Sequence, residues 1–527
     1  MFGPPSFREK QSAHEIKERW TTLFQGKPIG HPFWMHVHIP FCPQSCSYCQ
    51  CSRTELRNQH ELNDYLDWLE GEIDFFEGAM LRGKVRFQYI GGGTPNILNH
   101  SQLSRLFGLL NKRFSYEENA RRSFELLPSA LRPGTLELIR SYGFNRLSLG
   151  VQSANDSDLI QLRRKPFNLE YIGGIVNESL ELGFDEINLD LIWDSEQSNE
   201  KVVSAINCCI ELNPTTITLH NLIPTSTNPI FDNVEAEIIS HKRFRTLDKT
   251  IGSDLGPLSE QYVWVYRPDS WAIVKKSFYE SGKFSLWYYS DVERLHIDML
   301  GLGKFAHSRI LGETTYEALP SATKQFDPDE TSYSLFRTGP LVDSTIDLLT
   351  DLVGSRKSNL CEIENRYSMP LQDHLLPVLR ELEREGVVRE EEDTWHYQSD
   401  EHVFLDPLEP LLEVLLTETA AKNAEFFNIP QTKKRNSVTV ELGASYIDLT
   451  LEKLDPEREY YSKVGSYGIF YSKPVVGEPP TEKQIEEAMT VAKHSINSYL
   501  QREPQATSSE LLKALETNFQ KLYNSPS

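Results

Sequence analysis

Short apolar runs alternate with longer amphipathic stretches between about residues 33 and 225 of this 527-residue chain. The short runs are rich in β-branched and aromatic residues, which favours buried strands, whereas the longer stretches repeat their apolar residues with helical spacing. Six strands are predicted, at Trp34–Ile39, Phe87–Ile90, Ser123–Leu127, Arg146–Val151, Glu186–Ile192 and Thr216–Leu222. Helices are predicted between them at Glu61–Met80, Ser101–Phe114 and Leu169–Leu182.

This alternation predicts an α/β fold, because strands joined through helices are parallel and their crossovers are right-handed. Six such units predict a partial (β/α)6 barrel. The active site of such a barrel lies at the carboxyl ends of the strands, where the connecting loops meet.

The remaining chain predicts further parts on both sides of this barrel. Residues 1–32 form a lead-in with a helix at Ala13–Phe24, and residues 33–310 form the barrel with its C-terminal extension. In that extension we predict a helix at Ser270–Gly282 and a strand at Phe284–Tyr289.

Two more parts are predicted after the barrel. Residues 342–400 predict a helical, winged-helix-like module, with strands at Val387–Arg389 and Thr394–Tyr397. Residues 405–527 predict an appended α+β domain and tail. Its predicted elements are the strands Val438–Glu441, Tyr446–Leu451 and Gly468–Ser472 and the helices Glu482–Leu500 and Ser508–Tyr523.

Composition narrows the classes of function. A length of 527 residues predicts two to four domains. The net charge of −22 disfavours nucleic acid as the main partner. The start of the chain lacks a basic segment followed by an apolar run, and no apolar stretch is long enough to span a bilayer. Together with unpaired cysteines, these features predict a cytoplasmic protein that does not act in a membrane.

Three cysteines follow the first predicted strand, which Pro40 ends. Cys42, Cys46 and Cys49 have C-x3-C-x2-C spacing, and with Cys51 they make four of the seven cysteines in the chain. Such close thiols usually bind a metal or an iron–sulfur cluster, and the second ligand pair of a zinc site does not follow. Three thiolates on a [4Fe–4S] cluster would leave one iron open to a ligand with an amine and a carboxylate. The spacing resembles the motif of the radical S-adenosylmethionine (SAM) superfamily; the alternative is a group of structural thiols.

Residues suited to bind an organic ligand follow the other predicted strands. Gly91–Pro95 comes after the second strand, where glycines permit close approach of a ligand. Glu125 lies near the end of the third strand, Gln152 ends the fourth and Asp190 lies within the fifth. Arg164, one helix after Gln152, has a guanidinium suited to a carboxylate. Each residue alone also fits a structural role, as a surface ion or a buried acid, but their shared position at strand ends favours a site.

Six motifs together resemble the oxygen-independent coproporphyrinogen oxidase (HemN-like) family in order and spacing. They are the cysteine motif, Gly91–Pro95, Glu125–Pro128, Arg146–Gln152, Asn188–Ile192 and Gly301–Ser308. The resemblance covers about residues 33–400 and leaves out residues 405–527.

The resemblance implies a site with two SAM molecules. Cys42, Cys46 and Cys49 would hold a [4Fe–4S] cluster, and a one-electron donor such as flavodoxin or ferredoxin would reduce it. Reductive cleavage of the first SAM would give methionine and a 5′-deoxyadenosyl radical that acts on a small-molecule substrate. The residues implied to contact the first SAM are His36, Tyr48, Gly92, Glu125 and His307. Those implied for the second SAM are Gly93, Thr94, Gln152, Arg164, Asp190 and Ile223.

The chain departs from the family pattern at several positions. The family usually has tyrosine where this chain has His36, and Asp194–Glu196 replaces a common Gly-x-Pro after the fifth strand. Leu127 stands where asparagine or aspartate is common, and the N-terminal segment expected of coproporphyrinogen decarboxylases is not seen. Cys51 is predicted to be a thiol that does not bind the cluster. Core positions are predicted for Cys208, Cys209 and Cys361.

Three functions fit this pattern. The leading prediction is a class C radical SAM methyltransferase or a related cyclopropane-forming enzyme, in which the second SAM supplies carbon to an sp2 carbon of the substrate. The second is tetrapyrrole chemistry, either oxidative decarboxylation of a propionate or anaerobic haem opening. The third is a haem chaperone that keeps the cluster and performs no turnover.

Overall fold

The structure is a computed structural model, and it describes most of the first 400 residues. The described residues are 9–43, 46, 48–49, 54–193, 197–221, 244, 247–255, 260–266, 270–284, 297–319, 325–354, 356–398, 408, 411 and 414, together with the backbone of 437–442, 445–453, 463–464 and 467–472. The chain divides into two compact units, residues 1–427 and 428–527.

The first unit contains eighteen described strands and twelve described α-helices. Strands β1 to β18 are Glu9–Ser12, His31–Ile39, Phe41–Cys42, Thr54–Glu55, Gly83–Gly92, Tyr116–Leu126, Arg146–Gln152, Glu186–Trp193, Thr216–Asn221, Tyr262–Tyr266, Ser270–Lys275, Met299–Leu302, His307–Ile310, Thr314–Ala318, Ser332–Arg337, Lys357–Asn359, Val388–Glu391 and Thr394–Tyr397. Helices α1 to α12 are Ala13–Gln25, His60–Met80, His100–Arg113, Thr135–Ser141, Asp156–Gln161, Leu169–Glu181, Asn199–Glu211, Leu247–Ile251, Lys276–Glu280, Pro340–Gly354, Leu360–Tyr367 and Leu376–Arg384.

Thirteen of the described strands form one sheet, in the order β1-β15-β14-β13-β12-β2-β5-β6-β7-β8-β9-β11-β10. The run from β12 to β9 is parallel, and helices connect most of its members. The α/β prediction and the six predicted strands are therefore confirmed. Antiparallel strands extend the sheet at both ends, which the sequence did not predict.

Local sequence explains where several of the surrounding helices begin. Ser12 and Glu15 form a capping box at the start of α1, and Asn99 and Gln102 form another at the start of α3. In each box a side-chain oxygen accepts a hydrogen bond from an otherwise unpaired backbone N–H of the first turn.

The helix predicted at Ser270–Gly282 is wrong in its first half. Residues Ser270–Lys275 form β11, and only Lys276–Glu280 is helical. β11 lies between β9 and β10 and is antiparallel to both, so its first five residues are buried. Tertiary pairing outweighs local helical spacing here. The strand predicted at Phe284–Tyr289 lies outside the described residues after Phe284.

The predicted winged-helix-like module follows the sheet. Helices α10, α11 and α12 pack with a three-stranded antiparallel sheet of order β16-β18-β17 around an apolar core of their own. Arg309 in β13 is joined to Asp343 in α10 at 2.8 Å, and both side chains are buried. Asp343 also accepts hydrogen bonds from the Gly312 N–H and the Thr338 hydroxyl. The module is thus held to the sheet by a buried charged group with several partners.

The second unit contains a described four-stranded antiparallel sheet of order β19-β20-β22-β21. Its strands are Ser437–Leu442, Ser445–Lys453, Lys463–Val464 and Tyr467–Ser472, which confirms the three strands predicted there. The predicted helices Glu482–Leu500 and Ser508–Tyr523 lie outside the described residues. The predicted domain bounds, including the one near residue 405, stay predictions. No helix in the part of the chain that the structure describes has the length and apolarity needed to cross a membrane.

The Arg309–Asp343 pair generates a stability prediction. Replacing Asp343 with alanine leaves the buried guanidinium without its main partner, so the free energy of unfolding should fall by about 3–5 kcal/mol. Urea unfolding of the purified chain measures this change. The double variant Arg309→Met, Asp343→Leu should recover only part of the loss, because it removes the buried charge but takes away the acceptor of the Gly312 N–H and the Thr338 hydroxyl. Glu391→Ala, which removes the exposed Arg389–Glu391 pair, should cost a small fraction of the loss in Asp343→Ala. Equal losses for Asp343→Ala and Glu391→Ala would contradict the assignment.

Candidate active site at the carboxyl end of the parallel strands

The cysteine loop leaves the sheet directly after β2. Cys42 is 8% exposed and receives a hydrogen bond from the Thr94 hydroxyl at 3.4 Å. Cys46 and Cys49 are half-buried, and the Cys49 N–H reaches the Cys46 carbonyl at 3.5 Å. Residues 44, 45, 47 and 50–53, and with them Cys51, lie outside the described residues. None of the described cysteines is in a disulfide.

The chemistry of this donor set fits an iron–sulfur cluster. Three thiols lie on one short loop at the carboxyl edge of the sheet, and thiolates are the usual protein ligands of such clusters. Among the described residues, no group of three His, Cys, Asp or Glu side chains is already arranged to hold a metal ion. The cluster role of Cys42, Cys46 and Cys49 therefore rests on donor chemistry and position, and it stays a prediction.

Two histidines, His36 and His38, lie in β2, the strand that leads into the loop. His38 Nδ1 is 2.7 Å from the Lys304 carbonyl, which can only accept, so Nδ1 carries the proton. Burial lowers the pKa of His38 to about 4, the Lys304 carbonyl opposes this shift, and His307 lowers the pKa further. Burial, with His38 and His307 nearby, also holds the pKa of His36 well below its usual value. These imidazoles are neutral at pH 7.

Glycines at the end of β5 make room for Glu125. The Gly92 N–H donates to Glu125 Oε2 at 3.1 Å, and the Tyr89 hydroxyl donates to Oε1. A Cβ atom at Gly91 would lie 2.6 Å from Glu125 Oε2, so a larger residue would displace the carboxylate. Gly92 itself has φ +111°, which disfavours any side chain.

The electrostatics of Glu125 depend on its burial. Burial raises the pKa of this carboxyl to about 7, and Asp190 adds to the rise, while the Tyr89 hydroxyl, the Gly92 N–H and Arg146 oppose it. The carboxyl is therefore poised between its two protonation states near neutral pH. A ligand amine that donates to it would favour the ionised form.

Arg164 joins the cysteine loop to the end of β7. Its Nη1 donates to the Tyr48 hydroxyl at 2.7 Å, and its Nη2 donates to the Gly150 carbonyl at 2.6 Å. Gln152 lies against the same turn in a left-handed conformation, with φ 70°, and a Cβ atom at Gly150 would lie 3.0 Å from its Nε2. Burial raises the pKa of Tyr48, so its hydroxyl stays protonated.

Asp190 is held by three polar neighbours inside the sheet. It accepts hydrogen bonds from the Ser148 hydroxyl and the Asn188 amide at 2.8 Å each, and His220 Nε2 lies 3.3 Å away. Burial raises the pKa of Asp190, but His220, Arg146 and Ser148 together outweigh it and leave the pKa below its usual value. Asp190 is ionised at pH 7.

Sequence reasoning missed two contributors to this region. His220 pairs with Asp190, and the alternation of Thr216, Thr218 and His220 along β9 could have placed it on the inward face. A second buried ion pair, Arg146 with Glu186 at 3.0 Å, lies at the amino-terminal ends of β7 and β8. An inward arginine and an inward glutamate at the starts of neighbouring parallel strands were the available signal.

The predicted site residues therefore fall into connected groups. His36, Gly92, Glu125 and His307 belong to the side of β2, β5, β6 and β13, whereas Gln152, Arg164 and Asp190 belong to the side of β7 and β8. Tyr48, predicted with the first set, contacts Arg164 of the second. Gly93 and Thr94 lie against the chain at Phe41, since their N–H groups donate to the Ile39 and Phe41 carbonyls. Ile223 lies outside the described residues. Which ligand each residue binds stays a prediction.

Comparison with known proteins defines the class. Residues 36–228 match the model of the radical SAM superfamily. The fold is similar to that of the coproporphyrinogen III oxidase HemN from Escherichia coli, with a TM-score of 0.60 and 23% identity, over 75% of this chain and 93% of that one. Residues 36–228, which include the cysteine loop and strands β5 to β9, thus form a radical SAM domain.

Sequence relatives give the family. The chain is 30% identical over 372 residues to the oxygen-independent coproporphyrinogen III oxidase of Escherichia coli (strain K12), covering 68% of this chain and 80% of that protein. It is 28% identical over 196 residues to the heme chaperone HemW of Haemophilus influenzae, covering 36% and 51%. The chain belongs to the oxygen-independent coproporphyrinogen III oxidase (HemN-like) family of radical SAM proteins. The cofactors of this family are a [4Fe–4S] cluster and SAM.

The three cysteines generate the first prediction for this site. Alanine at Cys42, Cys46 or Cys49 should abolish the brown absorbance of the anaerobically reconstituted protein and all SAM cleavage, because each removes one thiolate ligand. The predicted core position is confirmed for Cys209, which is buried, but Cys208 is half-buried and the prediction for Cys361 is wrong, because this residue is exposed in the module. Cys361→Ala is therefore the matched control and should keep both the absorbance and SAM cleavage. Cys51→Ala should keep the cluster as well. A Cys46→Ala variant with full activity would overturn the assignment.

The pKa of Glu125 generates a pH prediction. With its pKa raised to about 7, the ligand-free protein gains stability from protonated Glu125 at low pH and loses that contribution as the pH rises through 7. An amine of SAM requires the ionised carboxylate, so SAM affinity should rise between pH 5.5 and 7 by up to about tenfold per pH unit.

Anaerobic titration of the reconstituted protein with SAM measures this slope. Glu125→Gln keeps the size of the side chain and removes the titration, so its SAM affinity should be lower at pH 7 and flat across the range. A slope unchanged in Glu125→Gln would assign the pH dependence to another group.

Proposed function

We propose that this protein is a catalytically active radical SAM enzyme that binds two SAM molecules and uses the second to methylate or methylenate an sp2 carbon of a small-molecule substrate. The observation that carries the proposal is the bond from Arg164 to Tyr48 at 2.7 Å, which joins the cysteine loop to the end of β7. Through this contact Arg164, which is suited to bind a second SAM, lies next to the cysteine loop, which is suited to hold the cluster and the first SAM.

The side chains have separable tasks in this proposal. The cluster, when bound, supplies the electron for reductive cleavage of SAM. Glu125 accepts a hydrogen bond from the amine of the first SAM, beside the close-packed glycines of β5. Arg164, held from the Gly150 carbonyl, offers a guanidinium to the carboxylate of the second SAM. Asp190, ionised and fixed by Ser148, accepts from hydroxyl groups of its sugar.

The charge inside the sheet favours alkylation over propionate decarboxylation. A tetrapyrrole with several carboxylates needs cations that face it. Of the described arginines on the inward face, Arg121 and Arg146 lie 3.9 Å and 3.0 Å from Glu186, and Arg164 is bonded to Tyr48. Glu186 faces the first two of these cations and Asp190 adds a second negative charge near Arg146, so beyond Arg164 the described lining offers little net positive charge to a polycarboxylate.

A tetrapyrrole enzyme is the second candidate, and a specific observation favours it. The relative from Escherichia coli, of which this chain covers 80%, is a coproporphyrinogen III oxidase. The HemW relative raises a third possibility, a haem carrier without turnover, although a carrier has no need of the second set formed by Gln152, Arg164 and Asp190. Binding of haem or coproporphyrinogen at micromolar concentration would support these alternatives.

One anaerobic assay separates the three functions. The reconstituted protein, a one-electron donor such as flavodoxin or ferredoxin, and SAM are incubated with candidate acceptors, and both SAM-derived products are quantified. Alkylation predicts S-adenosylhomocysteine together with 5′-deoxyadenosine. Decarboxylation predicts 5′-deoxyadenosine with loss of carbon dioxide from coproporphyrinogen, and a carrier predicts haem binding without SAM cleavage.

A variant of Arg164, one of the residues proposed to bind the second SAM, tests the alkylation proposal directly in this assay. Arg164→Lys loses the two-pronged guanidinium and should lower S-adenosylhomocysteine by at least about tenfold, while 5′-deoxyadenosine formation persists. Arg163→Lys, at the neighbouring residue, is the matched control and should behave as the unsubstituted protein. Production of 5′-deoxyadenosine alone with every acceptor would refute the alkylation proposal.

A further inference from the structure

We propose that Glu72 is a positioning residue of the first SAM site: it holds the Gly303–Lys304 turn, and this turn holds His38. The proposal rests on the assignment of that site in the preceding subsection. Glu72 lies in α2, far from the cysteine loop in sequence, and neither its type nor its spacing marks it as functional. Its side chain is fully buried, at 0% exposure.

One face of α2 directs polar side chains at a single turn, Gly303–Lys304, and at the strand beside it. Tyr65, Trp68 and Glu72 recur with helical spacing on this face, and all three are buried. Lys304 Nζ lies 5.3 Å from the centre of the Trp68 ring, a cation–π distance. The spacing alone suggests an ordinary core face, but its hydroxyl and carboxylate are directed at the chain that follows β12.

Glu72 makes two hydrogen bonds, and both cross long stretches of sequence. Its Oε2 accepts the Gly303 N–H at 2.5 Å, and its Oε1 accepts the Tyr333 hydroxyl at 2.7 Å. A buried carboxylate must be compensated, and these donors, together with the charge of Lys304, oppose the cost of burial. Glu72 therefore fixes the turn between β12 and β13 to the middle of α2.

The same turn is fitted closely to β2. The Tyr65 hydroxyl donates to the His38 carbonyl at 2.5 Å. Gly303 has φ +104°, and a Cβ atom there would lie 2.3 Å from the Tyr65 hydroxyl and 2.6 Å from the His38 carbonyl. Only glycine fits this crossing of α2, β2 and the turn. A turn that moved away from Glu72 would lose this packing.

The Lys304 carbonyl sets the state of His38. It accepts from His38 Nδ1 at 2.7 Å, so the tautomer and the ring orientation of His38 follow the position of the turn. The other edge of that ring lies against Gly92, where an added Cβ would be 2.5 Å from His38 Nε2. Gly92 in turn donates to Glu125. A chain of contacts thus runs from Glu72 through the turn and His38 to the glycine beside Glu125.

The charged and titratable groups around Glu72 agree with this role. They are Tyr65 on its own helix, Lys304 in the turn, and Tyr316 and Tyr333 on the neighbouring strands. Burial raises the pKa of Glu72 to about 7, while the Tyr333 hydroxyl, the Gly303 N–H and Lys304 lower it. The carboxyl oxygen can accept the Gly303 N–H in either protonation state. The predicted consequence is a change in SAM affinity rather than in chemistry.

The test compares Glu72→Ala, Glu72→Gln and Glu364→Gln in the full-length, cluster-loaded protein. Glu364 is the matched control, because its carboxylate also holds backbone N–H groups of a turn, at Leu371 and Gln372, but lies in the winged-helix-like module. Glu72→Ala should raise the KM for SAM in 5′-deoxyadenosine formation by about 10–100-fold with a smaller effect on kcat per cluster. Glu72→Gln should retain most of the affinity, since the amide oxygen still accepts from Gly303, and Glu364→Gln should leave KM unchanged.

A second measurement does not depend on turnover. Hydrogen exchange of a peptide containing Gly303 and Lys304 should accelerate in Glu72→Ala already without SAM, and the change that SAM causes in the electron paramagnetic resonance spectrum of the reduced cluster should need higher SAM concentrations. Normal SAM affinity in Glu72→Ala, or equal losses in Glu72→Gln and Glu72→Ala, would overturn the proposal. If the unsubstituted protein failed to bind SAM, the site assignment would be wrong instead. Faster exchange at Gly303 in Glu72→Ala would still show that Glu72 holds the Gly303–Lys304 turn.

Discussion

Pairing of polar side chains inside the parallel sheet is the constraint on which the site depends. Between β7, β8 and β9, Asn188 donates to the Ser148 hydroxyl and accepts from the hydroxyls of Thr216 and Thr218, all at 2.8–2.9 Å. These groups are buried, and a buried polar group without a partner costs free energy. The network therefore has one low-energy arrangement, and Asp190, which sits at its upper end, is fixed by the same bonds.

This constraint gives the two inward carboxylates different properties. Asp190 has several donors and a histidine beside it, so it stays ionised, whereas Glu125 has fewer compensating groups and its pKa is raised to about 7 by burial. Pairs of acids whose surroundings separate their pKa values typically divide tasks in an active site. Glu125 can respond to the arrival of an amine by losing a proton, and Asp190 can accept hydrogen bonds without changing its charge.

The sequence predicted those features that depend on local signals. The strands from Trp34 to Thr216 were found because short β-branched runs alternate with amphipathic helices, and the cysteine loop was found from spacing alone. The residues of β11 have helical spacing, which predicts a helix. Their conformation is decided by pairing with β9 and β10, and local spacing cannot show those partners. The alternation along β9 indicates the face on which His220 lies, but its partner Asp190 is on the neighbouring strand β8, and local sequence does not show that pairing.

Long-range partners explain the other omission. The bond between Glu72 and Gly303 joins residues 231 positions apart, and that between Glu72 and Tyr333 joins residues 261 apart. A glutamate within an amphipathic helix is normally solvent-exposed, and only the fold reveals that this one is buried. A sequence motif groups residues that are close along the chain. A residue such as Glu72, whose partners lie on distant elements, is therefore not part of one.

Family membership and substrate choice depend on different parts of this site. The class follows from the match of residues 36–228 to the radical SAM superfamily, whereas the substrate must meet the side chains on the inward face of the sheet. There the chain has His36, where the family usually has tyrosine, and His220 beside Asp190 on the opposite side. His36 is kept neutral by burial, and Arg121 and Arg146 share the carboxylate of Glu186. A lining of imidazoles and paired charges favours a substrate that forms hydrogen bonds over one bound through several carboxylates, and this preference supports the alkylation that we propose.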